Sequence, residues 1–232
     1  MSGSNWGDDL ASIETVGVQL RKTDVSQLHV ALVYRVDGTA KTLELAWHRD
    51  LVSVNVELTG LFAPLQLDPA NAISLAAYCE AVALENHANI PGKAQIPYWI
   101  RYDGETFTAT GQWLHDTGLT CATFVLAVLS SQGLTVARHE TWGTREDDLT
   151  WQCKILRMLA SKHPREVAMQ RKLIGASRLR PEEVAVAATL PPASQPATFA
   201  AVVFDAVALF TRLGAQPFDF CERRSSKCML GP

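Results

Sequence analysis

The first quarter of the chain alternates between apolar and polar positions, as half-buried β-strands do. Residues 28–36 (LHVALVYRV) are rich in β-branched and aromatic side chains, and the Asp-Gly pair that follows them is a strong hairpin signal. Residues 42–48 and 52–58 alternate apolar with polar side chains. Beginning near Val16, the pattern predicts an antiparallel meander of three strands.

Helices are predicted where the spacing of apolar residues changes. Asp68 can cap a helix whose first residue is Pro69 and which runs to about Asn86. Residues 121–131 are apolar on nearly every side, which is typical of a helix buried at the centre of a domain. Further helices are predicted over 149–161, 166–174 and 199–213.

Two segments between these helices also carry predictions. Residues 96–102 and 106–110 flank a second Asp-Gly pair, which predicts another hairpin. The acidic run at 146–148 is expected to be the solvated start of a helix, because negative charge suits the N-terminal end of the helix dipole.

Together these elements predict an α+β fold. An antiparallel sheet packs on the central helix that begins at Cys121, and extra helices follow toward the C-terminus. Since 232 residues fit one large domain or one domain with an appendage, we divide the chain into four parts. They are a mobile lead over 1–15, the main domain over 16–189, a proline-rich linker over 190–198, and a C-terminal helix and tail over 199–232.

Composition narrows the class of protein. Apolar residues make up 47% of the chain and charged residues 19%, and the net charge is −3, so nothing favours binding to nucleic acid or to an anionic membrane. The apolar stretches are shorter than the roughly 18 residues of a membrane span. The first ten residues lack a signal-peptide pattern, and five cysteines are an odd number. We therefore expect a cytoplasmic protein with free thiols.

The most informative chemical feature is Cys121, which follows Gly118 and lies at the first turn of the predicted buried helix. The positive end of a helix favours a thiolate over a thiol, and the free N–H groups there can bind an oxyanion. The alternative is a cysteine that only fills space. Gln112 and His115 are upstream residues that could add an oxyanion donor, or could be ordinary loop residues.

A thiolate nucleophile needs a base, and His29 opens the most strand-like segment of the chain. A third group on the next strand would orient the imidazole, and Glu44 and His48 both occupy the polar face of that strand. We favour Glu44, because a carboxylate stabilises an imidazolium better. Each of the three could instead be a solvated strand residue.

A strand histidine, a polar residue on the next strand and a cysteine at a buried helix start form a pattern that resembles the circularly permuted papain-like cysteine hydrolases. That group includes permuted NlpC-type peptidases and lecithin–retinol acyltransferase-like enzymes. The resemblance rests on residues 29–34 (HVALVY) and 120–125 (TCATFV) and covers about residues 16–135. It implies Cys121 as nucleophile and His29 as base. Thr120 departs from the asparagine or aspartate that often precedes such a cysteine, and the third residue does not match uniquely.

These expectations define a thiol peptidase, amidase or isopeptidase that acts on a peptide or protein substrate. The alternatives are an acyl- or thioester-processing enzyme, a non-enzymatic binding domain of the same fold that holds a partner through the helix at 199–213, and an effector exported without a signal peptide. No zinc-type motif occurs, so we expect neither a metal nor a cofactor.

Overall fold

The computed structural model describes residues 6–23, 27–87, 90–104, 106–115 and 117–215. These residues form an α+β fold with a five-stranded antiparallel sheet in the order β4-β3-β2-β1-β5. Its strands are β1 (Val16–Lys22), β2 (Leu28–Val36), β3 (Thr39–Trp47), β4 (Asp50–Asn55) and β5 (Leu61–Pro64).

The predicted meander corresponds to β2, β3 and β4. The turn between β2 and β3 places Asp37 at φ 49° and Gly38 at φ 78°. Two consecutive left-handed residues match the twist of the flanking strands, which is why an Asp-Gly pair suits a two-residue hairpin. β1 and β5 extend the sheet on the other side of β2.

Six α-helices surround the sheet in the described part of the chain. They are α1 (Pro69–Asn86), α2 (Cys121–Ser131), α3 (Glu146–Ala160), α4 (Pro164–Gln170), α5 (Pro181–Thr189) and α6 (Phe199–Arg212). The starts of α1 and α2 agree with the sequence-based prediction, and Asp68 caps α1 as expected. The short helix α5 was not predicted.

The two faces of the sheet have different roles. One face carries the alternating apolar side chains of β1, β2 and β3, which join α2 and α5 in the main core. The other face carries the polar residues of the same strands, including Arg21, His29 and Glu44. Because side chains alternate along a strand, the apolar pattern that fixes the core also fixes the positions of these three polar residues.

The hairpin predicted for 96–110 is wrong. Tyr98 instead pairs in parallel with Leu119, and Phe107 makes a single bridge with Trp113. Pro97 has no N–H to donate, but its carbonyl accepts the Leu119 N–H at 2.9 Å. The segment therefore binds to the residues just before α2 and helps to place the start of that helix.

Residues 190–198 and α6 lie against the rest of the fold. Ala197 exchanges backbone hydrogen bonds with the 136–138 segment, from Ala197 N to Val136 O at 2.9 Å and from Arg138 N to Ala197 O at 2.8 Å. The buried side of α6 joins the main core through Val202, Ala206 and Leu209. At the other end of the chain, Trp6 is buried and Gly7 pairs with Phe62.

Two predictions concern chain ends that fall partly outside the described residues. They are the mobile lead, for residues 1–5, and the C-terminal tail, for residues 216–232. Within the described ranges, none of the helices combines the length and the apolar character that crossing a membrane requires.

Gly118 is required by the close approach of residues 97 and 118. A Cβ atom at this position would lie 1.9 Å from the Pro97 carbonyl oxygen. We expect Gly118→Ala to lower the free energy of unfolding by about 1–3 kcal/mol, since backbone must shift to relieve the overlap. Gly143 has no atom within 4 Å of such a Cβ, so Gly143→Ala is the matched control. It should change the free energy by less than about 0.5 kcal/mol in chemical denaturation. Equal stability of the two variants would contradict this assignment.

Candidate active site

Cys121 occupies the first position of α2, and the turn before it is held by reciprocal hydrogen bonds. The Thr120 hydroxyl accepts the Thr123 N–H at 3.2 Å, and the Thr123 hydroxyl accepts the Thr120 N–H at 2.8 Å. Thr120 therefore caps the helix, a role that asparagine or aspartate can also fill. The N–H of Cys121 lies in the first turn, where helix N–H groups have no acceptor within the helix. It is available to an oxyanion.

The sheet opens where the cysteine reaches it. Pairing between β2 and β3 runs from Val36 with Thr39 to Leu32 with Leu43 and goes no further along β2. Beyond that point the backbone N–H of Val30 lies close enough to the Cys121 sulfur to help lower the pKa of the thiol. The start of α2 thus takes the place of a strand partner, and the thiol lies within reach of the first residues of β2.

The structure brings His29, Glu44 and Cys121 together, all three buried. His29 Nε2 lies 2.6 Å from Glu44 Oε2. At this distance the carboxylate stabilises the protonated form of His29. His29 also interacts with Cys121, and this interaction raises the pKa of His29 and lowers the pKa of the thiol.

Arg21 is a fourth member of this group, which the sequence patterns did not predict. It lies directly opposite His29 in the pairing of β1 with β2. Its Nη2 atom lies 2.9 Å from Oε1 and 2.8 Å from Oε2 of Glu44. Glu44 therefore neutralises two cationic groups when His29 is protonated. The polar alternation of β1 places Arg21 on the correct face, but the register with β2 was needed to find it.

These contacts change the pKa values of the pair. Burial alone raises the pKa of the Cys121 thiol, but the His29 cation, its hydrogen bond and the Val30 N–H outweigh burial and lower it. Burial likewise lowers the pKa of His29, yet the charges and hydrogen bonds of Cys121 and Glu44 raise it to about 9. The pKa of Glu44 is lowered, because His29 and Arg21 together outweigh its burial. Both shifts favour a thiolate beside an imidazolium.

His48, the alternative third residue, lies elsewhere. Its Nδ1 accepts the backbone N–H of Tyr98 at 3.2 Å, and its ring stacks on His163 with 3.9 Å between the centroids. Burial and the charges of His163 and Arg49 lower the pKa of His48 to about 4. The imidazole is therefore neutral at pH 7 and holds the 96–99 segment in place.

The upstream candidates for oxyanion binding also have other contacts. Gln112 pairs with Thr108 through its backbone, and His115 packs edge-on against Trp113 at 5.6 Å. His115 lines a polar cavity of about 320 Å³ with Arg49, Lys93, Gln95 and Pro97. The lining of this cavity does not include Cys121, His29 or Glu44, so this cavity and the reactive group occupy different places.

The prediction of free thiols holds for two of the three described cysteines. Cys79 and Cys121 are free, whereas Cys153 is disulfide-bonded. Cys221 and Cys228 lie outside the described residues. Burial in the main core raises the pKa of Cys79 well above the ordinary thiol value. Of the two free thiols, only Cys121 has neighbours that favour its charged form.

One cluster has the composition of a metal site. His48, His163 and Glu166 offer three possible ligand atoms within 4.8 Å of one another. However, His48 Nδ1 accepts the Tyr98 N–H, so its proton lies on Nε2, and that nitrogen has no lone pair for a metal. Arg49 also lies 3.2 Å from the Glu166 carboxylate. Two of the three residues, His48 and Glu166, thus already have protein partners.

Comparison of the chain with models of known protein families, with curated proteins and with solved structures found no match. The likeness to permuted papain-like hydrolases therefore remains a prediction based on residues 29–34 and 120–125. The chemical interpretation of the site rests on the contacts of Cys121, His29, Glu44 and Arg21.

The lowered thiol pKa predicts the pH dependence of alkylation at Cys121. The rate with iodoacetamide should follow a pKa below the 9.0 of an ordinary thiol. In His29→Ala the cation and hydrogen bond are lost while burial remains, so the thiol pKa rises and the rate at pH 7 falls about tenfold or more. Peptide mapping by mass spectrometry gives the rate at each cysteine, and Cys79 serves as the unreactive internal control. Identical pH profiles for both proteins would contradict this charge pair.

The contact between Glu44 and His29 predicts that substitutions of Glu44 and of His48 will change the alkylation rate of Cys121 differently. Glu44→Gln leaves His29 and Arg21 without their carboxylate, so the alkylation rate of Cys121 at pH 7 should fall by about tenfold. His48→Gln keeps an acceptor for the Tyr98 N–H and should leave the rate unchanged. The two variants should be compared at matched folded fractions, measured by circular dichroism. A larger effect at His48 would show that Glu44 does not support the imidazolium.

Proposed function

We propose that this protein is a cysteine hydrolase of the thiol peptidase or amidase type, with Cys121 as nucleophile, His29 as proton carrier and Glu44 as the residue that orients His29. One observation carries the proposal: a free, buried cysteine at the start of a helix interacts with a buried histidine, and Nε2 of that histidine lies 2.6 Å from a carboxylate oxygen. This is the arrangement of nucleophile, base and orienting group that covalent acyl transfer requires.

In this proposal the thiolate of Cys121 attacks the carbonyl carbon of the substrate, and the carbonyl oxygen becomes an oxyanion. The Cys121 N–H donates to that oxyanion. The His29 imidazolium gives its proton to the leaving amine, the carbon–nitrogen bond breaks, and a thioester remains on Cys121. Neutral His29 then takes a proton from water, whose oxygen attacks the thioester. The carboxylic acid product leaves, and the thiolate–imidazolium pair returns.

The arrangement of the backbone also supports the proposed likeness to permuted papain-like hydrolases. The histidine strand precedes the cysteine helix in the sequence, the orienting residue lies on the adjacent strand, and α2 packs on the apolar face of the sheet. Whether the thioester passes to water or to another acceptor depends on what reaches it. Acyl transfer is therefore the variant of the same chemistry to test beside hydrolysis.

A binding role is favoured by a separate observation. The outer side of α6 exposes Phe204 at 82% and Val207 at 58% of their surface. Large apolar side chains that lie together on a surface are typical of a protein contact. A non-catalytic domain that binds a partner through α6 is the second candidate, and it does not need a reactive Cys121.

Turnover of a panel of fluorogenic peptide amides and thioesters separates the two functions. The enzyme should form an acylated Cys121 that intact-protein mass spectrometry detects. Cys121→Ala should lower turnover by about 10³-fold or more while the fold survives. Cys79→Ala makes the same chemical change at the other free cysteine of the described residues, away from the site, and should keep its turnover. Full activity in Cys121→Ala, or slow and uniform labelling of all reactive cysteines, would contradict the hydrolase and favour the binding role.

A further inference from the structure

The outward side of α6 is an uncharged surface that nothing in the described chain covers. On its other side the helix packs on α5 and buries Val202, Ala206 and Leu209 in the main core. Six exposed residues, all uncharged, line the outward side: Ala200, Ala201, Phe204, Val207, Ala208 and Thr211. We call these six residues the outer stripe. Their spacing of three or four residues keeps them together over about three turns of the helix.

The outer stripe combines large side chains with small ones. Phe204 is 82% exposed and Val207 is 58% exposed. The residues at 200, 201 and 208 are alanines, which leave space for a side chain from another helix. Helices pack when large side chains of one enter the spaces between side chains of the other. A stripe that has both features is complementary to a copy of itself, which is what a two-fold contact requires.

The charges of α6 lie on one flank of the outer stripe. Asp205 and Arg212 are the only charged residues of this helix, and they are seven residues apart. Two turns of an α-helix take about 7.2 residues, so both side chains lie on the same flank. The opposite flank carries Val203 and Phe210, which are partly buried. Asp205 has no ion-pair partner among the described residues, and Arg212 uses Nη1 to bind the Trp6 carbonyl at 2.9 Å.

This distribution of charge selects one orientation for a second copy. In an antiparallel pair of helices related by a two-fold axis, equivalent flanks lie on the same side, so Asp205 of each copy meets Arg212 of the other. In a parallel pair, the charged flank of one copy would lie against the apolar flank of the other, and Asp205 would face Val203 or Phe210. The charges therefore favour the antiparallel arrangement.

We propose that α6 is a homodimerisation surface, on which the outer stripes of two copies pack antiparallel and Asp205 of each copy pairs with Arg212 of the other. The helices then cross near Ala208, midway between the paired positions, where a small side chain permits close approach. Phe204 lies toward each end of the contact, beside Thr211 of the second copy. This inference does not depend on the reactivity of Cys121.

The length of α6 sets the strength of dimer that we expect. Its 14 residues span about 21 Å at a rise of 1.5 Å per residue. A single contact between helices of this length belongs to the small interfaces, below roughly 1,200 Å², that are typical of reversible association. The dimer should therefore be in equilibrium with the monomer, and its population should rise with protein concentration.

Sedimentation equilibrium of the full chain tests the surface. The average mass should rise from 25.4 kDa toward twice that value as the protein concentration increases over about 5–500 μM. Phe204→Glu introduces an unpaired charge into the contact and should raise the dimer dissociation constant by about tenfold or more. Ile73→Glu makes a comparable change on α1, at a side chain that is 63% exposed, and should leave the constant unchanged.

Exchange of the two charges tests the orientation. Asp205→Arg and Arg212→Asp each convert both ion pairs into like-charge contacts, because a two-fold axis makes every substitution act twice. Each variant alone should dimerise about tenfold or more weakly than the unchanged protein. An equimolar mixture of the two variants contains both opposite-charge pairs again and should dimerise about as well as the unchanged protein.

A monomer at every concentration would overturn the proposal, and so would a dimer that Phe204→Glu leaves intact. Failure of the mixture to recover dimerisation, with both variants folded by circular dichroism, would overturn the antiparallel pairing. If Arg212→Asp does not fold, because Arg212 also binds the Trp6 carbonyl, Asp205→Arg is compared with Asp205→Asn. Repulsion should make the arginine substitution the more damaging of the two, and equal effects would contradict the pairing.

Discussion

The charge pair of Cys121 and His29 depends on compensation by groups that the fold brings to it. A charged thiolate in a buried place is unfavourable by itself, and so is an imidazolium. Here each stabilises the other, and Glu44 supports the imidazolium from its far side. The charge and hydrogen bond of Arg21 lower the carboxyl pKa of Glu44 further and so help to keep Glu44 ionised. Removing one member leaves the others with a desolvation cost that nothing offsets, so the four residues behave as one unit.

The backbone makes this unit possible by ending a strand pairing early. A sheet in which β2 and β3 paired along their full length would leave no N–H at Val30 for the sulfur. The parallel contact of the 97–99 segment with Leu119, and the absence of a side chain at Gly118, place the start of α2 at this opening. The packing of one short connecting segment therefore determines whether the thiol meets the histidine.

Local sequence signals were sufficient for the strands and for the helix that carries Cys121. The Asp-Gly turn, the period-two alternation and the all-apolar stretch each depend on neighbours a few residues away. Glu44 could be preferred over His48 on chemical grounds before its contact was known. Arg21 could not be found, because its role depends on the register of β1 with β2.

The acidic run at 146–148 is another feature whose environment local sequence signals could not predict. Its composition suggested a solvated helix start, yet Asp148 is fully buried among Arg145 and Arg180. One of these arginines, Arg180, is far from Asp148 in the sequence, so no pattern near residue 148 indicates that Asp148 is buried. The 96–110 hairpin failed for a related reason, because Leu119 offered the Pro97 carbonyl and the Trp99 N–H partners that local turn signals do not reveal.

The wide separation along the chain of the residues that activate Cys121 has a consequence for newly made protein. Arg21, His29 and Glu44 are synthesised long before Cys121, and an unfolded chain does not bring them together, so it contains a cysteine with no special reactivity. Electrophiles and oxidants in the surroundings then encounter an ordinary thiol until the sheet and α2 have docked. The high reactivity expected of Cys121 is therefore a property of the folded protein, and the unfolded nascent chain does not have it.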